Sequence, residues 1–200
     1  HSLPTNKLSD LEIFHIVPVV HDPEKVFLTT QKGWWQYDPV SGIVSKFNLP
    51  GGSQDLLSYI NRYVITGNGY WFTSQAGFGF FDLSKNKVSD LTEIITADAK
   101  EQRTGALCID KFERPWFSVY RSGLRIFDPV TKKLTSLFSD SLSKDNLIGK
   151  NIFDLKSLPG GHILMTAGGV VFIINAQNFH YEIIKIDEVN STGTSERAIP

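Results

Sequence analysis

The residues that could carry chemistry in this sequence are few and scattered. No two of the five histidines have the spacing of a metal-binding motif such as HxxxH. The one cysteine, Cys108, allows no disulfide within the chain and no cysteine-based metal cluster. The segment GFGFFD lacks the third glycine and the following helix of a phosphate-binding loop, and no GxSxG motif is present. The sequence therefore indicates no metal, no cofactor and no catalytic site. The histidines are His1, His15, His21, His162 and His180.

A recurring acidic or amide residue is the one feature that invites a metal interpretation. It occurs once in each quarter of the chain and is followed by a turn-forming segment. Asp and Asn in this context cap a turn by accepting hydrogen bonds from their own backbone. Turn capping is therefore the favoured role of Asp38, Asp82, Asp128 and Asn175.

Composition excludes several classes of protein. The 200 residues are 41% hydrophobic and 20% charged, which is typical of a globular chain. A formal net charge of −1, without a basic stripe, argues against a nucleic-acid surface. No run approaches the roughly 18 apolar residues of a membrane span, and the first residues show no signal-peptide pattern.

A repeat organises the chain. Gly33, Gly77, Gly123 and Gly169 are spaced by 44, 46 and 46 residues, and each opens a short apolar run that ends at one of the capping residues. Two similar β-prone runs precede each glycine and one follows it, separated by turns rich in Gly, Pro, Asp and Asn. Four short strands recurring every 40 to 50 residues are typical of a β-propeller blade.

The sequence thus predicts an all-β fold, a β-propeller with four blades of four antiparallel strands. The blades span about 2–48, 49–92, 93–139 and 140–188 within a propeller region 1–190, and 191–200 is a polar tail or linker. Apolar residues lie at the first and fourth positions after three of the glycines, on opposite faces of a strand. Both faces of each sheet should therefore be buried, as between stacked blades.

The segments GWWQYDPVSGIVSKF and GLRIFDPVTKKLTSLF, with GNGYWFTS, ERPWFSV, SLPTNKLSD and SLSKDNLIG, resemble the regulator-propeller repeat. That repeat occurs in the periplasmic sensor regions of bacterial hybrid two-component systems, such as those of Bacteroidetes. The family tryptophan of the second strand is present at Trp71 and Trp116, whereas the first and fourth units carry Phe27 and Leu164 in its place.

The resemblance implies a histidine kinase elsewhere in the protein and a periplasmic or cell-surface location. It also implies a glycan or oligosaccharide as ligand. Four whole units could close into a four-bladed ring, but the resemblance instead implies an arc of a ring of about seven blades. The apolar outer faces of the end blades would then contact the remaining blades or a second protomer. No nucleic-acid partner is expected, and contact with a membrane would be made only by other segments.

Ligand-binding residues of a propeller lie on loops that a rigid scaffold holds at one edge. By strand order, the loops between blades and those between second and third strands share an edge, where amides, acids, Arg and Tyr suit sugar hydroxyls. The same residues could equally be ordinary solvated loop residues. The candidates are Gln31, Lys32, Gln54, Asp55, Gln75, Gln102, Arg103, Tyr120, Arg121, Asp145 and Asn146.

Three further positions are assigned to the scaffold. Trp35 and Arg125 occupy the same place in the repeat, where stacking on a sugar is conceivable but packing between blades is favoured. Cys108 lies in an apolar run, with no neighbouring feature that would depress its pKa, and should be an inert buried thiol.

Three functions remain open at this stage. The leading hypothesis is a non-catalytic ligand-sensing module of a two-component sensor histidine kinase, responding to a carbohydrate-related signal. The second is a surface or secretion-associated protein-interaction scaffold. The third is a polysaccharide-active propeller enzyme, which would need a convergent acid or His/Tyr/Arg cluster that these spacings do not assemble.

Overall fold

The structure is a computed structural model that describes residues 2–3, 10–20, 22–48, 50, 54–96, 103–138 and 151–185. The chain divides into two compact units. The first unit holds two β-sheets together with Thr104, and the second unit holds the other two sheets. All strand pairs are antiparallel, and the four sheets of the repeat are confirmed.

The first unit contains β1 to β9. The first sheet has the order β1-β5-β4-β3-β2 and the second has the order β6-β7-β8-β9. The strands of the first sheet run Ser2–Leu3, Ile13–Val19, Asp22–Thr30, Gly33–Asp38 and Ile43–Lys46. Those of the second run Ile60–Thr66, Gly69–Ser74, Phe78–Asp82 and Lys87–Asp90.

The second unit contains β10 to β17 in two sheets with the orders β10-β11-β12-β13 and β14-β15-β16-β17. Strand β10 begins at Thr104, which groups with the first unit. The third sheet has strands Thr104–Ile109, Pro115–Val119, Gly123–Asp128 and Lys133–Leu137. The fourth has strands Ile152–Leu158, His162–Ala167, Val170–Asn175 and Tyr181–Lys185.

Three short elements differ from the sequence prediction. Helices α1 (Gln54–Leu57) and α2 (Thr92–Thr96) lie in segments predicted as loop or strand end, and β1 lies in a predicted loop. Leu56 and Leu57 of α1 are buried in the core of the first unit, and this burial stabilises the short helix. Strand β1 has only two residues and adds to the free edge of β5. None of these elements carries a pattern long enough for periodicity to detect.

The repeated capping role is confirmed in every sheet. In each turn after the third strand of the repeat, the Asx side-chain oxygen accepts hydrogen bonds from the backbone N–H groups two and three residues further on, at 2.8 to 3.4 Å. The Ser41 N–H holds the pKa of Asp38 below its usual value, and the Thr131 N–H does the same for Asp128. Asp38, Asp82, Asp128 and Asn175 therefore cap the same turn in each of the four sheets.

The core of the first unit is aromatic. Trp34 and Phe27 of the first sheet meet Tyr70, Phe72 and Phe81 of the second, with ring centroids 6.0 to 6.2 Å apart. All five rings are nearly excluded from solvent. Rings of this size bury more area than aliphatic side chains and add a favourable edge-to-face geometry.

Hydrogen bonds from aromatic side chains tie the same two sheets together. The Tyr70 hydroxyl donates to the Pro18 carbonyl at 2.7 Å and accepts from the Val20 N–H at 3.0 Å. Burial raises the pKa of Tyr70. His15 Nε2 donates to the Ile60 carbonyl at 3.1 Å. His15 is therefore a packing residue between strands β2 and β6.

The core of the second unit is mainly aliphatic. Leu124 and Ile126 of the third sheet pack in one buried cluster with Met165, Phe172 and Ile174 of the fourth. Cys108 belongs to this cluster and is 6% exposed. Burial, with smaller contributions from Asp110 and Asp154, raises the pKa of its thiol to about 12. The expected burial of Cys108 is confirmed.

A buried carboxylate organises the turn between β10 and β11. Asp110 Oδ2 accepts from Trp116 Nε1 and from Arg114 Nε, both at 2.8 Å. Asp110 Oδ1 accepts from the backbone N–H groups of Phe112 and Arg114 at 2.8 and 3.0 Å. Arg114 Nη2 also donates to the carbonyl of Ala176 in the fourth sheet. One carboxylate thus satisfies the indole of a fully buried tryptophan and an arginine that bridges two sheets.

Replacing Asp110 by Asn should destabilise the second unit. The Asn amide oxygen can keep one side of the network, but its NH2 group would face the N–H donors of Trp116 and Arg114. Leaving buried donors unsatisfied costs about 2 to 4 kcal/mol. Urea unfolding of Asp110→Asn measures this loss. Glu182→Gln, which removes an exposed charge from β17 of the same unit, should change stability by less than about 0.5 kcal/mol. Equal stability of the two variants would contradict the assignment.

The thiol of Cys108 should be unreactive in the folded protein at pH 8. With a pKa near 12, almost none of it is the nucleophilic thiolate, whereas an unfolded cysteine ionises near pH 8.5. Iodoacetamide should label it only after urea is added. Glu182→Cys supplies an exposed thiol for comparison and should be labelled in both conditions. Rapid labelling of native Cys108 would show that its burial is wrong.

Candidate functional site

Because successive strands run in opposite directions, the turns of each sheet lie at its two opposite ends, where the strands begin and end. We call the end with the β3–β4, β7–β8, β11–β12 and β15–β16 turns the loop edge, and the opposite end, with the Asx turns, the cap edge. Residues 10–12 and helix α1 also lie at the loop edge of the first unit, because they lead into β2 and β6. The predicted binding residues that the structure describes all lie at loop edges.

Gln31 holds the start of the first sheet in place. Its Oε1 accepts from the Glu12 N–H at 2.8 Å and its Nε2 donates to the Asp10 carbonyl at 3.2 Å. The adjacent Lys32 N–H donates to Thr30 Oγ1 at 3.0 Å, and the Lys32 side chain is exposed. The Gln31 amide is thus committed to backbone groups, whereas the Lys32 ammonium is presented to solvent.

Helix α1 brings a second amide next to this turn. Gln54 Oε1 lies 3.5 Å from the position that a Cβ on Gly33 would occupy. The Ser58 hydroxyl donates to the Gln54 carbonyl at 2.7 Å and helps to close the helix. Gln54 and Asp55 are both exposed. The structure therefore brings Gln54 together with the Gln31–Lys32 turn.

The β7–β8 turn presents Gln75 on a tightly held backbone. Ser74 Oγ accepts from the N–H groups of Ala76 and Gly77 at 3.2 and 3.1 Å. Gly77 has φ +150°, and a Cβ there would overlap the Thr92 side chain. The Gln75 N–H donates to the Tyr59 carbonyl at 3.4 Å, and its side chain is exposed.

The β11–β12 turn of the second unit is built on a buried arginine. Arg125 is 1% exposed, and its Nη1 donates to the Ser122 carbonyl at 2.6 Å and to the Leu124 carbonyl at 3.3 Å. Above it, the exposed Arg121 has φ +56° and its guanidinium carbon lies 5.1 Å from the Tyr120 ring centroid. Tyr120 and Arg121 thus form a cation–π pair on a turn that the hydrogen bonds of Arg125 stabilise.

Packing is confirmed as the role of the repeat position shared by Trp35 and Arg125. Trp35 is 8% exposed and packs with Leu28 and Val44 on the second face of the first sheet. It has no exposed ring face on which a sugar could stack.

The remaining predicted residues are only partly described. Arg103 is exposed just before β10, whereas Gln102, Asp145 and Asn146 lie outside the described residues. Binding by any of the candidates stays a prediction. Among residues 10–20, 22–48, 54–96, 103–138 and 151–185, no three His, Cys, Asp or Glu side chains gather in a way that could hold a metal ion.

Two aromatic residues at the loop edge were missed by the sequence analysis. Phe14 and Tyr59 lie 5.5 Å apart between ring centroids, and Tyr59 is 44% exposed. Phe14 occupies a bulge, since the pairing of β2 with β3 shifts register between Ile13 and His15. Neither the bulge nor the end of α1 has a sequence signal, so these residues could not be placed at the edge beforehand.

Comparison with known proteins identifies the fold. No family model matches the sequence, and no curated protein matches it. Among solved structures, the extracellular domain of BT4673 from B. thetaiotaomicron has a TM-score of 0.69 at 16% identity over 88% of this chain and 25% of that chain. One structure names that protein as a one component system, and another names it as a hybrid two component system.

Two other structures are similar. PorZ, a surface component of the type-IX secretion system of Porphyromonas gingivalis, has a TM-score of 0.55 at 17% identity, over 88% of this chain and 23% of that chain. The WD40 domain of Neurospora crassa Pan2 has a TM-score of 0.59 at 11% identity, over 88% and 51%. This chain thus spans about a quarter of the BT4673 and PorZ chains.

These likenesses agree with the four antiparallel sheets, because WD40 repeats are blades of β-propellers. Within the described residues, no helix is both long and apolar enough to cross a membrane. The chain has the fold of a partial β-propeller.

Proposed function

We propose that this chain is a non-catalytic ligand-sensing module, the β-propeller part of the periplasmic or cell-surface region of a bacterial two-component sensor. Its signal would be a carbohydrate or a product of carbohydrate breakdown. Binding at the loop edge would bias the arrangement of rigid propellers and, through segments outside this chain, the activity of a histidine kinase.

The loop edge of the first unit is the observation that carries this proposal. Gln54, Gln75 and Lys32 are exposed there, on turns fixed by hydrogen bonds between side-chain hydroxyls and the backbone rather than on free loops. Amides offer both donors and acceptors, which matches the alternating donor and acceptor character of sugar hydroxyls. A preformed polar edge on a rigid sheet is the arrangement expected for binding without catalysis.

The comparisons and the repeat support the sensor setting. BT4673 has the same fold, and its matched part is an extracellular domain of a signalling protein. The resemblance of the strands to the regulator-propeller repeat points in the same direction. Ring closure by about three further blades would cover the outer faces of the end sheets.

A surface-exposed scaffold for protein partners is the second candidate. The likeness to PorZ favours it, because that protein is a surface component of a secretion system. A scaffold would respond to no small ligand, and its loop edge would bind a protein instead. The response of the full natural chain to soluble sugars therefore separates the two candidates.

Lys32→Ala should weaken the response to a sugar ligand without unfolding the protein. The exposed ammonium carries three donors suited to hydroxyl oxygens, and its loss should raise the half-maximal ligand concentration about tenfold. Lys87→Ala is a matched control, because Lys87 is also an exposed lysine of the first unit. It begins β9 at the cap edge of the second sheet.

The measurement is binding of soluble oligosaccharides to the full natural chain, together with output of a reporter gene in the host. Lys87→Ala should leave both unchanged. Equal effects of the two substitutions would show that loss of a positive charge, rather than ligand contact, is responsible. No effect of Lys32→Ala would remove the β3–β4 turn from the site.

A further inference from the structure

Tyr59 has a backbone conformation that usually selects glycine. It follows the end of helix α1 with φ +51°, the left-handed position at which most helix ends carry Gly or Asn. A bulky residue in this region is uncommon and marks strain or function. The backbone of this turn therefore does not require an aromatic side chain.

Two other aromatic residues share this conformation but have an evident packing role. Phe138 and Phe179 have φ +60° and +63°, and both rings pack against the buried cluster of the second unit. Tyr59 is 44% exposed. Core packing thus accounts for the strained conformation of the two phenylalanines, whereas Tyr59 lies outside the buried clusters of the described residues and nearly half of it is exposed.

A β-bulge brings a partner ring to Tyr59. The bulge in β2 falls at Phe14, and bulges re-aim one side chain out of the regular alternation of a strand. The same register shift recurs in the first strands of the second and fourth sheets, but only here is an aromatic pair formed with the segment after α1 among the described residues. The Phe14 ring lies 5.5 Å from that of Tyr59, tilted by 34°, so the two rings form an apolar pair that is partly open to solvent.

Two neutral amide residues, Gln75 and Gln54, lie in segments next to these two rings. The Gln75 N–H donates to the carbonyl of Tyr59, so the exposed Gln75 side chain starts beside the rings. Gln54 begins the helix that Tyr59 follows. An apolar platform flanked by neutral amides suits a ligand with apolar C–H faces and hydroxyl edges, such as a pyranose ring.

We propose that Phe14 and Tyr59 form the stacking platform of a sugar-binding site whose hydroxyl contacts come from Gln75 and Gln54. This inference rests on the proposed function and names the part of the loop edge that holds the ligand. Presentation of this ring to the ligand is the reason that a tyrosine, rather than a glycine, occupies this strained position.

Three substitutions test the platform by isothermal titration of the full natural chain with soluble hexaoses of glucose, xylose, mannose and galactose. Tyr59→Gly removes the ring and relieves the backbone, so it should bind at least about tenfold more weakly while its Tm stays equal or rises. Phe14→Leu keeps an apolar side chain without a ring and should also weaken binding. Tyr59→Phe keeps the ring and should bind within about threefold of the unchanged chain.

Each outcome is decisive. Weak binding by a stable Tyr59→Gly chain, with binding retained in Tyr59→Phe, supports the platform. If a hexaose binds the unchanged chain and the Tyr59→Gly and Phe14→Leu chains equally well, the platform is wrong, although a sugar-sensing function stands. If no hexaose binds the unchanged chain, the carbohydrate function fails and the platform fails with it.

Discussion

Burial of an apolar sheet face against a neighbouring sheet is the constraint on which this fold depends. A lone sheet of this composition would leave rings such as Trp34, Phe72 and Phe81 in water. In the first unit these rings pack against one another between two sheets. In the second unit, Leu124 and Ile126 pack against Phe172 and Ile174. Sheet stacking, rather than any hydrogen bond between sheets, supplies the main driving force.

Because the sheet faces are used for stacking, the turns at the loop edge and the cap edge are the places where the residue types can differ between units. At the cap edge, four Asx turns repeat one hydrogen-bonding scheme, so this edge is a structural device used four times. The loop edge has no scheme common to all four sheets. In the first two sheets, Thr30 and Ser74 close the turn in the same way, accepting from the N–H two residues on and donating to the carbonyl three residues on. The Gln31 amide bonds to backbone in the first sheet, Ser74 closes the turn of the second, and buried Arg125 supports that of the third. Units of a repeat protein share a fold but differ in the side chains of their turns, and this difference allows one unit to carry a site that the others lack.

The repeat made the strands and the caps predictable. Glycine spacing located the third strand of each unit. The prediction that both sheet faces are buried is confirmed for β12 of the third sheet, whereas β15 and β16 of the fourth alternate between buried and part-buried residues. Turn chemistry gave the role of Asp38, Asp82, Asp128 and Asn175 before any geometry was known. The Asx caps depend on residues within four positions of one another, and the strands were found because their pattern recurs in all four units.

The site was less predictable, although part of its geometry belongs to the repeat. A one-residue bulge places Phe14 beside Tyr59, and the same bulge recurs in the first strand of the second and fourth sheets. A four-residue helix, too short for a periodic pattern, sets the position of Gln54. The contact of Phe14 in β2 with Tyr59, just before β6, joins segments that are distant in the sequence. The network around Asp110 was missed for a related reason, since its last contact, with the Ala176 carbonyl, lies in another sheet.

Hydrogen–deuterium exchange of the full natural chain, with and without a saturating hexaose that it binds, tests the account most directly. The account predicts slower exchange at the loop edge of the first unit, in residues 12–14, 31–33, 54–59 and 75–77. It predicts unchanged exchange at the cap edge, in residues 39–42, 67–68 and 83–86. Protection at the cap edge, or none at the loop edge, would contradict the placement of the ligand on these turns.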